Sequence, residues 1–150
     1  MTTGSSLTVR NVQGNFVTAD TNRAKIFIFQ NEFNSGTLLN ASGDEKTFMT
    51  GLLLGRISAS GNIVPWDATA TDGSQFPIGI LATTVTLADA ATASIRYCIN
   101  GDVNGGELIL DVNGQTLDNV VSGRRLRDRI EADTKGIRLV DVVDQTFLDN

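Results

Sequence analysis

Apolar residues along this chain fall into short runs, most of strand length and several in strict alternation. The first strong run is KIFIFQ, residues 25–30. Ile26 and Ile28 would face one way and Phe27 and Phe29 the other, so burial on both faces is expected. SGTLLN predicts a further short strand and ASGD a turn. LLLGRIS, residues 52–58, and NIV flank Ser60-Gly61-Asn62, a spacing that predicts a β-hairpin. PIGILATTVTL is extended and rich in β-branched residues. Its apolar positions change parity between Ile78/Ile80 and Leu81/Val85/Leu87, which predicts a bulge, a bend or burial on both faces. ADAAT reads as a turn or a single helical turn.

ASIRYCIN alternates cleanly, with Ile95, Tyr97 and Ile99 opposite Ser94, Arg96 and Cys98. NGDVNGG then reads as a turn or bulge-rich link. ELILDV alternates again, with Leu108, Leu110 and Val112 as the inner face. Late in the chain Ser122 is placed to N-cap a helix over GRRLRDRIEAD, where Leu126 and Ile130 stack at i, i+4. Lys135-Gly136 reads as its stop and GIRLVDVV, residues 136–143, as the last strand. Residues 1–24 are mostly polar, with Leu7, Val9, Phe16 and Val17 isolated. They read as an arm that orders on a partner. No internal repeat or later linker divides residues 25–150, which are expected to form one β-rich domain.

Composition narrows the chemistry. Of 150 residues, 41% are apolar and 19% charged, and the 15 glycines suit short strands joined by tight turns. A net charge of −5 argues against nucleic acid as the main partner, because phosphate binding draws on Lys and Arg. There is no His, the commonest general base and metal ligand. Cys98 is the only cysteine, so neither an intrachain disulfide nor a cysteine-rich zinc site is expected. No apolar run reaches the ~20 residues of a membrane helix, and the start lacks a basic-then-apolar signal pattern. The chain reads as made and kept in the cytosol, or in something assembled there, with no membrane partner.

Few residue sets suggest catalysis. Asp67 and Asp72 share the loop within GNIVPWDATATDGSQFPIGIL, residues 61–81, with the lone Trp66 and both prolines, Pro65 and Pro77. A working carboxylate pair needs a tuning group and a dry pocket, whereas Asp in such loops usually ties a turn. Asn100, Asp102, Asn104 and Glu107 faintly resemble a calcium loop, but the Glu comes too early and strands flank it. Cys98 lacks a His partner. Arg124, Arg125, Arg127 and Arg129 form one basic cluster. Acidic residues four positions on offer partners, Arg124 to Asp128, Arg127 to Glu131 and Arg129 to Asp133, in the less favoured order for a helix. Either some of these arginines meet acidic groups outside the helix or the cluster is a solvated face, and the small worth of surface pairs favours neither. No enzyme activity and no cofactor are expected.

The segment LLLGRISASGNIVPWDATATDGSQFPIGIL resembles the lambda D-like head decoration (capsid cement) proteins of tailed bacteriophages. The parts are Leu54-Gly55-Arg56-Ile57, the Ser60-Gly61 turn, Trp66-Asp67, the Ala/Thr stretch at 68–71, Asp72-Gly73-Ser74 and the strand at 77–81. ATASIRYCINGDVN and the closing helix with GIRLV extend the likeness. The resemblance implies a mainly β fold, a compact β-tulip or barrel-like domain with one short C-terminal helix and an extended N-terminal arm. It implies a homotrimer on the outer surface of an expanded head, bridging major capsid protein subunits, with the arm contributing shell contacts. Candidate capsid or trimer contacts are then Leu7, Val9, Arg10, Phe16, Trp66, Asp67, Arg124, Arg125 and Arg127. The alternative expectation is a host-surface or glycan-binding module of a phage fibre or tail, with Trp66 stacking on a sugar beside Asp67 and Asp72.

Overall fold

A computed structural model describes residues 8–10, 16–18, 25–110 and 115–141. Two 13-residue strands, β3 (Phe27–Leu39) and β9 (Thr92–Asn104), pair antiparallel from Phe27↔Val103 to Leu39↔Thr92. The opposite edge of β9 carries two short strands in succession. β7 (Gly79–Leu81) pairs antiparallel at Tyr97 and Cys98, and β12 (Ile137–Val140) runs parallel along residues 101–104. β7 also pairs with β5 (Leu53–Arg56), β5 with β6 (Ile63–Pro65), and β6 meets β3 in one parallel bridge, Leu38↔Ile63. The circuit β9-β3-β6-β5-β7 returns to β9 and closes a small barrel. Closure leaves those strands without the free edges that invite aggregation.

The sequence pattern explains the two layers of the core. Leu38, Leu54, Ile63, Leu81, Ile95 and Tyr97 come from all five barrel strands and meet in one cluster. Phe48 and Leu87 join it from a separate ribbon, β4 (Lys46–Phe48) against β8 (Val85–Leu87). The neighbouring residues Leu53, Ile80 and Cys98 enter a second cluster with Trp66, Val121, Leu126, Ile130 and Ile137. Alternation sends successive side chains to opposite faces, so β5, β7 and the middle of β9 are apolar on both sides. The helix α1 (Leu126–Asp133) covers the outer side, with Leu126 and Ile130 fully buried as their i, i+4 spacing predicts.

The fold is β-rich with a helix near the C-terminus, as expected, and the RIS/NIV hairpin forms with Arg56 opposite Ile63. Several local expectations change. Residues 25–26 are helical, and Ile28 and Phe29 are exposed, Phe29 by 59%, where β3 is bulged with Gln30 at φ 51° and no layer of the described residues covers it. SGTLLN is the second half of β3 and no separate strand. The parity change in PIGILATTVTL is a break: residues 82–84 separate β7 from β8. NGDVNGG is no link, since β9 continues to Asn104 with β3 and β12 on its two edges, and a 3-10 turn follows at Gly105–Glu107. ELILDV contributes only a parallel bridge, Leu52↔Ile109, within its described part; Leu108 and Leu110 do pack inward.

Ser122 does not cap α1. It takes φ 52° and Gly123 φ 83°, the two-residue turn of a hairpin between β10 (Val120–Val121) and β11 (Arg124–Arg125). Helix α1 starts after Arg125, whose side chain makes no capping bond. Thr134 closes the other end, its backbone N–H and hydroxyl both donating to the Ile130 carbonyl.

Candidate functional site

The segment from Trp66 to Ser74 is a shape held by its own polar groups. Trp66 is 2% exposed, and its indole Nε1–H donates to the Gln75 carbonyl at 2.8 Å. Asp67 Oδ1 accepts from the Thr69 N–H and hydroxyl at 2.9 and 2.8 Å. Asp72 Oδ1 accepts from the Ser74 hydroxyl at 2.6 Å and N–H at 3.0 Å, and these bonds, the hydroxyl's foremost, hold its carboxyl below the ordinary range. The Asp72 carbonyl accepts from the Ser58 N–H, which ties the loop to the end of the β5–β6 hairpin. Gly55 makes this possible: a Cβ there would sit 2.2 Å from the Ser74 carbonyl oxygen. Leu54-Gly55-Arg56 and Asp72-Gly73-Ser74 are thus two halves of one close backbone crossing.

This geometry answers the chemical candidates. Asp67 and Asp72 each build a turn. Trp66 is sealed in the core, so it offers no face for stacking on a sugar. Among the described residues no group of three or more His, Cys, Asp or Glu converges to hold a metal ion. In the calcium-like stretch, Asn100 Oδ1 accepts from the Gly101 N–H and Asn104 Oδ1 from the Gly106 N–H. Asp102 holds Arg138 in a two-pronged pair at 2.8 and 2.7 Å. Cys98 is buried, its thiol pushed up by desolvation and donating to the Asn100 carbonyl at 3.2 Å. A thiol kept protonated is a poor nucleophile.

The arginine cluster divides. Arg129 is buried: it donates to the Val121 carbonyl, lies 3.5 Å from Asp133 as expected, and stacks over Phe76 at 5.3 Å. Arg127 meets Asp141, outside the helix, and not Glu131, which instead accepts from the Leu139 N–H. Arg125, not Arg124, pairs with Asp128 at 3.4 Å. Arg124 is exposed and makes no ion pair among the described residues.

In the first part of the chain, Leu7 lies outside the described residues. Val9 and Arg10 belong to β1 (Thr8–Arg10) and Phe16 to β2 (Phe16–Thr18), which pair antiparallel with Arg10 opposite Phe16. The surface also holds a groove of about 500 Å³ whose lining includes Phe48, Met49, Leu52, Pro65, Ile109 and the two loop aspartates. Sequence reasoning did not single out the groove, although alternation in ELILDV already turns Ile109 outward.

The described residues thus form a small closed barrel whose loop carboxylates are bound in turns. The class comes from a family model: bacteriophage lambda head decoration protein D matches residues 16–119. The chain belongs to that family, which is structural, and its place is the capsid of a phage virion. No curated protein matches the chain.

Proposed function

We propose that this protein cements an expanded phage head by binding its outer surface as a homotrimer and bridging neighbouring major capsid protein subunits. The observation that carries the proposal is the family match over residues 16–119. Three further features support it. The acidic body keeps a small domain soluble before assembly. The first strands, β1 and β2, form a ribbon that presents backbone edges of the kind that add to another sheet. The Asp67 and Asp72 turns, with Trp66 beneath them, hold one loop in a fixed surface shape. Bridging by a trimer multiplies modest contacts through effective concentration, and binding the assembled lattice in preference to free subunits raises shell stability by mass action.

The test compares capsids with and without bound protein in a thermal release assay. Decorated heads are expected to hold their DNA to a higher temperature. Equal release temperatures at saturating occupancy would remove the cementing role.

A further inference from the structure

Two surface features have opposite character. The groove has an apolar floor, formed by Phe48, Met49, Leu52, Pro65 and Ile109, and Met49 is 47% exposed. Asp67 and Asp72 are among the lining residues, each fixed by the turn it builds. The only cation among the lining residues is Lys46, which lies 5.8 Å over the Phe48 ring and follows exposed Asp44 and Glu45. The rim is therefore acidic.

The β10–β11 hairpin reverses this pattern. Val120 is 69% exposed, the most exposed large apolar side chain among the described residues, and lies opposite Arg125. Arg124 is unpaired by any ion among the described residues. Arg125 holds Asp128 only at 3.4 Å with both side chains about half exposed, a pair of little worth. The tight Ser122-Gly123 turn makes the hairpin narrow, and buried Val121 anchors its base in the core. No hairpin residue lines the groove, so these are separate patches on one chain.

We propose that the β10–β11 hairpin of one copy seats in the groove of the next, with Val120 on the apolar floor and Arg124 and Arg125 against the acidic rim. The match is one of apolar centre and charged margin, the usual anatomy of a protein interface, and the opposed charges set its orientation. Two different patches in contact make a heterologous interface, which forms a ring where its rotation closes and an open filament where it does not. A ring of three is the homotrimer proposed above, and this inference rests on that reading.

The experiment measures mass in solution for wild type, Val120→Asp, Met49→Asp and an equimolar mixture of the two variants. Both positions are exposed, and Val120→Ser and Met49→Ser serve if either Asp variant loses its thermal transition. Wild type is expected at the mass of three copies. Each variant is expected to associate at least ~10-fold more weakly, the scale of a centrally placed contact. The mixture is expected to give a two-copy species, because one variant keeps an intact groove and the other an intact hairpin. Variants that keep the three-copy mass, or a mixture without the two-copy species, would overturn the hairpin-in-groove contact while leaving the trimer intact. A wild type that stays monomeric at every concentration would overturn this contact as a self-sufficient interface; the trimer reading is then judged on decorated heads, where bound protein in clusters of three is expected and isolated single copies would remove it.

Discussion

The hydrogen atom on Gly55 that stands in place of a side chain lets two motifs cross. With a Cβ only 2.2 Å from the Ser74 carbonyl oxygen, Gly55→Ala must push backbone against backbone. Overpacking of this kind costs on the order of 1–3 kcal/mol. At ~2–4 °C per kcal/mol for a chain of this length, thermal unfolding should show a clear drop in Tm; an unchanged Tm would mean the crossing relaxes freely. Trp66→Phe removes the donor to the Gln75 carbonyl as well as ring volume, and is expected to lower the Tm. Asp72 gives a pH-dependent test. Its folded pKa is lowered by the two Ser74 bonds, so its contribution is complete at neutral pH, above the unfolded value, and is lost as pH falls through the lowered one. Asp72→Asn has no such titration. The stability gap between wild type and variant, followed by denaturant titration, should narrow below about pH 4.

At the level of elements, Ser122-Gly123 shows how a local pattern misleads. Ser before an apolar-periodic run satisfies the rule for a helix N-cap, but Ser-Gly between Val-Val and Arg-Arg also satisfies the rule for a two-residue hairpin, and that is what forms. The two readings differ in a measurable way. Gly at an N-cap costs a few tenths of a kcal/mol, whereas relieving a left-handed serine gains up to about 1 kcal/mol. Ser122→Gly is therefore expected to stabilise, and a lower denaturation midpoint would count against the turn.

The same contrast explains what the sequence revealed. The β5–β6 hairpin was legible because its turn and both its strands lie within a dozen residues. The β3–β9 pairing was not, since Phe27 meets Val103 and no local signal carries that separation. NGDVNGG has the composition of a turn, yet it is held extended because strands pair along both of its edges. The shape of the Trp66 loop was readable as turn chemistry, but its burial was left open. The groove joins residues from positions 40 to 110, and only the closed barrel brings them together.

For the whole molecule, the body and the first strands answer to different forces. The barrel has two apolar clusters and a closed circuit of strands, enough to stand on its own core. The β1–β2 ribbon has three residues in each strand, and a two-stranded hairpin of that size is marginal in water unless another surface completes it. If the shell supplies that surface, the ribbon adds little to the folding of the body and much to attachment. Deletion of residues 1–24 keeps Ile26, the first buried core residue after that stretch. The truncated protein is therefore expected to unfold at nearly the wild-type temperature in solution, yet to bind expanded capsids more weakly and to be displaced at lower competitor concentration. A large fall in Tm would assign the ribbon to the fold, and undiminished capsid binding would assign shell attachment to the barrel surface alone.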